Sequence, residues 1–177
     1  MNKKFSTRMI VEAGVMIALA YVLSLLKVWQ APLGGSVTAG SMIPIIIFAI
    51  RWGGVEGMFV GAVYGAMQFI LGPKWSFHVV SILCDYVVAF GVLGVVGFFR
   101  KSNGGRVMGI TLAIALRYAA HVISGVVVFA SYAPPETTPV IYSLIYNSQY
   151  LIPEFIISVV VYGLLYSTSK ERLFQVN

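Results

Sequence analysis

Charge is scarce in this chain. Of its 177 residues, 10% are Asp, Glu, Lys or Arg and 59% are hydrophobic. Soluble domains carry about 25% charged residues, so the composition excludes an ordinary aqueous fold and makes the bilayer the solvent. Cysteine is scarcer still: Cys84 is the single one, so no internal disulfide forms and the residue reads as packing. Histidine is limited to His78 and His121, and HExxH, GxSxG, an Asp-rich phosphotransferase stretch and GxxxxGK[ST] are all missing. Those gaps leave no expected metal site or cofactor, argue against an enzyme, and remove a nucleotide-driven pump. Two related halves, common in self-sufficient carriers, are missing too.

What is present is a series of apolar runs at residues 7–26, 41–50, 55–71, 77–99, 107–129 and 140–166. A span uses roughly 20 residues, so these predict an all-α integral membrane protein, a six-helix bundle occupying residues 1–177 as one membrane-embedded domain. The second run is short and carries Pro44, which suits a helix that begins inside a protein-lined cavity. With both termini cytoplasmic, the inner side collects Lys3, Lys4, Arg8, Arg51, Arg100, Lys101, Arg106, Lys170 and Arg172, and the outer side only Lys27 and Lys74. That asymmetry fixes the orientation, and it assigns the net charge of +6 to the bilayer rather than to nucleic acid. Glu12 interrupts the basic, apolar N-terminal segment, which therefore reads as a retained helix rather than a signal peptide.

Two outer connections stand out. Residues 27–40, "KVWQAPLGGSVTAG", combine Pro32 with Gly34 and Gly35, a composition suited to a loop that folds over something. Residues 72–75, "GPKW", form a turn ending on Trp75, which suits an interfacial belt. Small residues recur at four-residue spacing, as Gly14 and Ala18 and then as Gly57, Gly61 and Gly65. Such spacing lets helices approach closely in lipid, within the bundle or against a partner.

Helical rise of about 1.5 Å per residue places both Asp85 and His121 about 12 Å below the outer ends of their helices. His121, Gly125 and Phe129 share a helix face, with Gly125 leaving room beside the two rings. Tyr142, Tyr146 and Asn147 fall within the outermost ~10 Å of the last helix. Arg117 and Glu154 lie deeper and are expected to pair, leaving Asp85 as the unpaired acid of the outer cluster. A buried carboxylate is relieved by protonation or by a bound cation. The faces of Trp75, Tyr86, Phe129, Tyr142 and Tyr146 favour a flat, cationic ligand entering from outside. Asp85 with His121 also leaves an acid–base reading open.

"LCDYVVAF", "LRYAAHVISGVVVF", "APLGGSV" followed by "MIPI", and "IYSLIYNSQY" together resemble the thiamine-specific substrate-binding subunits, or S components, of energy-coupling factor transporters. The resemblance covers almost the whole chain. It implies a non-enzymatic, six-helix subunit of the bacterial plasma membrane that captures thiamine from outside and works with a membrane scaffold subunit and two cytoplasmic ATPases. It further implies that Asp85 and Tyr86 match the family's acid–Tyr pair, and that His121, Gly125 and Phe129 match the signature of the fifth helix, with Phe129 where other members have Trp. Tyr142 and Asn147 match polar ligand contacts, and Trp75 matches an aromatic position; Tyr146 joins them as a ring of the same cluster. Gly34 and Gly35 fall in the mobile cover, which here lacks the family's large aromatic. Gly14 and Ala18 match the face that docks to the scaffold. The alternatives are an S component for another vitamin or a thiamine precursor, and a stand-alone membrane carrier.

Overall fold

The computed structural model describes residues 6 to 175; Lys3 and Lys4 lie outside the described residues. Helix α1 (Thr7–Leu25) begins where the Ser6 hydroxyl accepts from the Met9 amide. The connection expected as a loop is a small antiparallel hairpin, β1 (Lys27–Gln30) and β2 (Ser36–Thr38), in which Trp29 pairs with Val37 and Gln30 with Ser36. The segment departs from an all-helical chain because its two short strands satisfy each other's backbone groups, with the Ala31 amide donating to the Gly35 carbonyl at 2.6 Å across the turn. β1 is exposed throughout, whereas Val37 and Thr38 of β2 turn inward.

Helix α2 (Ile43–Trp52) carries Pro44 in its first turn, where a missing N–H costs nothing, and every residue from Ile43 to Ile50 is buried. At about 15 Å it is too short to cross hydrocarbon. It therefore forms the centre of the protein, with Ile45, Phe48 and Ile50 packed among Tyr64, Leu93, Val96 and Ile110. Gly53, at φ +132°, turns the chain directly into α3 (Gly54–Leu71). Helix α4 (Val79–Phe99) starts two residues later than expected because the His78 ring caps it by accepting from the Val80 amide. Helix α5 (Asn103–Val128) starts four residues earlier than expected behind a Ser102 cap, and α6 (Pro139–Ser169) follows a Thr138 cap. Five of these helices are long and apolar enough to cross a membrane.

Helix α4 is not a regular α-helix. It opens into a π turn over Ile82–Val88 and tightens to 3-10 geometry over Val92–Phe99. The glycine stripe of α3 fits against it. A Cβ on Gly61 would lie 2.2 Å from the Phe90 carbonyl oxygen, and one on Gly65 would lie 2.2 Å from that of Tyr86. Those glycines serve packing within the bundle, whereas Gly14 and Ala18 face outward.

At the end of the bundle away from the hairpin, two acids are matched by arginines. Glu12 pairs with Arg51, whose Nη1 also donates to the Leu173 carbonyl at 2.7 Å. Arg106 grips Glu171 through both Nη atoms, at 3.1 and 2.8 Å. Phe174 closes this end beneath the Arg106 guanidinium, 5.2 Å from ring centroid to Cζ.

Candidate ligand-binding site

Asp85 sits within the π turn of α4, a geometry that widens the helix and is frequent at functional sites. The expected common depth of Asp85 and His121 shows as direct contact: Asp85 Oδ1 lies 2.8 Å from His121 Nδ1. Asp85 Oδ2 accepts from Ser81 Oγ at 2.7 Å and from Ser124 Oγ at 2.5 Å. An ionised carboxylate only accepts, so His121 donates from Nδ1 and turns Nε2 away, buried and without a protein partner. Asp85 is therefore not the unpaired acid the sequence suggested. It is held by two hydroxyls and an imidazole, and no lysine or arginine pairs with it among the described residues.

The expected Arg117–Glu154 pair is also corrected. Arg117 lays its guanidinium over the Phe90 ring at 4.0 Å, with Nε and Nη1 buried and unbonded. Glu154 Oε1 instead accepts from Thr38, at 2.5 Å from the amide and 2.7 Å from Oγ1, while Oε2 has no partner. A π face and the inner strand of the hairpin take the two groups that a helix-only reading would join.

A cavity of about 220 Å³ opens among these groups, beneath the hairpin. Asp85, Tyr86, His121, Gly125 and Phe129 line one side, and Tyr142, Tyr146 and Asn147 of α6 line the other. Trp75, Gly34 and Gly35 border it as well, so the eleven residues expected at the ligand and its cover lie around one space. Arg117 and Glu154 reach the same space.

Individual roles differ from expectation. A Cβ on Gly125 would lie 2.0 Å from Ser143 Oγ, so the room this glycine leaves is filled by α6 and not by a gap beside the rings. Gly34, at φ +105°, packs against the Trp75 indole, where a Cβ would fall 2.3 Å from Nε1. Tyr142 and Tyr146 stack at 6.0 Å, Tyr146 Oη accepts from the Leu33 amide at 2.9 Å, and Tyr86 Oη donates to the Pro73 carbonyl at 3.3 Å. Asn147 donates to the Ser143 carbonyl at 2.8 Å and accepts from Tyr150 Oη.

Sequence reasoning missed Ser81, Ser124, Thr38 and Tyr150. Ser81 stands four residues before Asp85 and Ser124 three after His121, both on the same helix faces, so helical periodicity could have found them. Tyr150 follows Tyr146 by one turn and meets the His121 ring edge-on at 5.8 Å. Among the described residues, no three His, Cys, Asp or Glu side chains gather in a way that could hold a metal ion.

An acid with an imidazole partner, aromatic walls and a hairpin roof, set in a helical membrane bundle, define a small-molecule-binding membrane protein. Comparison with known proteins narrows the class. The thiamine transporter protein family (Thia_YuaJ) matches residues 10–174. The thiamine transporter ThiT of Bacillus subtilis is 37% identical over 188 aligned positions, covering 98% of this chain and 97% of that protein. ThiT of Lacticaseibacillus paracasei is 29% identical, covering 73% of each. A solved structure of ThiT from Listeria monocytogenes superposes with a TM-score of 0.84 over 95% of this chain and 97% of that one; at 23% identity it supports the fold. The chain belongs to the thiamine transporter family, and it is a multi-pass membrane transport protein rather than an enzyme.

Proposed function

We propose that this protein captures thiamine from the extracellular side as the substrate-binding subunit of an energy-coupling factor transporter. In this reading both termini are cytoplasmic, the cavity faces outward, and a membrane scaffold with two ATPases supplies the energy that the chain has no motif to harvest. The observation that carries the reading is Asp85. Its carboxylate is fixed at the cavity wall by Ser81, Ser124 and His121, none of which is a permanent cation. A thiazolium ring supplies the missing positive charge and a flat face for Phe129 and the tyrosines. Tyr142 and the remaining acceptor capacity of Asn147 Oδ1 orient the ligand by hydrogen bonds, which count for more in a low-dielectric pocket. Gly14 and Ala18 receive the scaffold on the outward face of α1.

The test is equilibrium binding of thiamine to the purified full-length protein in lipid nanodiscs, with the isolated pyrimidine half and thiamine phosphates as competitors. Saturable thiamine binding supports the reading; preferential binding of a precursor assigns a different vitamin-type ligand, and no binding overturns it. Thiamine uptake in cells lacking the ATPase partners would instead make the protein a stand-alone carrier.

A further inference from the structure

A two-stranded hairpin is marginal on its own, so the position of β1 and β2 depends on what holds them down. The seat is one face of α6. Tyr146, Tyr150 and Glu154 are spaced by four, and each meets the hairpin at a different level. Tyr146 Oη takes the Leu33 amide at the tip, the Tyr150 ring lies where a Cβ on Gly35 would stand, and Glu154 takes Thr38 at the base.

The base contact is the strongest of the three. Both bonds to Glu154 Oε1 come from one residue, both are charge-assisted, and the carboxylate is buried at 4% exposure. A hydroxyl has one proton to give. Because the carboxylate can only accept, Thr38 Oγ1 donates to Glu154, and the 2.8 Å contact with Ser41 Oγ has Ser41 as donor. The Ser41 amide also points at Thr38 Oγ1, at 3.2 Å. Thr38 is thereby locked between α6 and the first turn before α2, at the point where the hairpin rejoins the bundle.

We propose that Glu154 is a positioning residue: by holding Thr38 it keeps the hairpin closed over the cavity, and so sets how slowly a captured ligand leaves. This rests on the proposed thiamine-capture function. Glu154 lines the cavity, and its Oε1 serves the hairpin, whereas Oε2 is buried without a protein partner.

The experiment compares Glu154→Leu, Glu154→Gln and Thr38→Val in full-length protein, reading thiamine association and dissociation rates separately. Glu154→Leu removes both bonds and should raise the dissociation rate roughly tenfold or more with association little changed, the scale of a lost charged hydrogen bond. Glu154→Gln keeps an oxygen that accepts both bonds and should stay within about threefold of wild type. Thr38→Val should move dissociation in the same direction as Glu154→Leu and add nothing when combined with it, and it carries the test alone if Glu154→Leu does not fold. A second readout needs no ligand: spin labels at Val28→Cys and Ile141→Cys in a Cys84→Ser background should show a broader distance distribution once the clamp is cut. Unchanged dissociation and unchanged label distances in Glu154→Leu, or additive effects of the two sites, would overturn the clamp. Failure of wild-type protein to bind thiamine would overturn the functional reading instead, with the label distances still deciding the clamp.

Discussion

The two ends of the bundle treat charge in opposite ways. At the end away from the hairpin, Glu12 and Glu171 are each matched by an arginine, and that end is sealed by Phe174. At the hairpin end, Asp85 has an imidazole, Glu154 has a threonine, and Arg117 has a ring face. His121 Nε2, two nitrogens of Arg117 and Glu154 Oε2 are buried there without protein partners. Buried polar groups without protein partners cost stability, so an arrangement of this kind is expected where a ligand completes it. At the first end Trp52 Nε1 is also such an atom, but the two carboxylates are matched within the fold; at the second the residues with unpartnered atoms gather around a cavity that something can enter.

The sharpest way to break this comparison is Asp85→Asn. The amide oxygen can still accept from Ser81 and Ser124, and the amide nitrogen faces His121 Nδ1, which requires the imidazole to move its proton to Nε2. The fold should therefore survive while the charge is lost. We expect thiamine affinity to fall by at least about 100-fold, or 2.7 kcal/mol, as for one partner of a buried charge pair. Equal affinity in a folded variant would remove the distinction between the two ends.

Next in size is the packing of α3 against α4. Gly61→Leu puts a side chain where the Phe90 carbonyl already lies 2.2 Å from the Cβ position, so α3 and α4 must separate. Overpacking costs about 1–3 kcal/mol or more, and a thermal shift assay in detergent should show the loss with or without thiamine. The contrast is Gly14→Leu on α1, where no atom lies within 4 Å of the Cβ position. That change should leave stability and thiamine binding intact yet lower uptake in cells that contain the whole transporter. Normal uptake would remove the docking role of α1.

Much of this division was legible in the sequence. Apolar runs gave the helices to within a few residues, because a span must satisfy its backbone internally and tolerates little else. Asp85, His121, Phe129, Tyr142 and Asn147 were legible because polar and aromatic groups inside such runs have few places to go. What helical rise could not supply was the π turn of α4, against which Gly65 of α3 packs at the Tyr86 carbonyl. Nor could it show that Thr38 reaches Glu154 across 116 residues, which required the hairpin to fold back over the bundle. Pairing Arg117 with Glu154 was reasonable in charge and depth; in the structure Arg117 lies over the Phe90 ring and Glu154 accepts from Thr38, a residue of the hairpin that helical rise does not place.

The smallest expected effect sharpens the comparison from the other end. Arg106 holds the Glu171 carboxyl below its ordinary range, chiefly through the hydrogen bonds it donates. A group whose folded value is depressed stabilises the fold above its unfolded value and loses that contribution as pH falls through the folded one. The effect is therefore complete at neutral pH and starts to fade as acidification passes the ordinary value of 4.5. Glu171 is 43% exposed, so solvent screens the pair, and Glu171→Gln should cost no more than about 1 kcal/mol at neutral pH. Thermal shifts of Glu171→Gln and wild type should converge on acidification while thiamine affinity is the same in both at neutral pH. A large affinity change would mean that the sealed end communicates with the cavity, and the two halves could no longer be treated as separate.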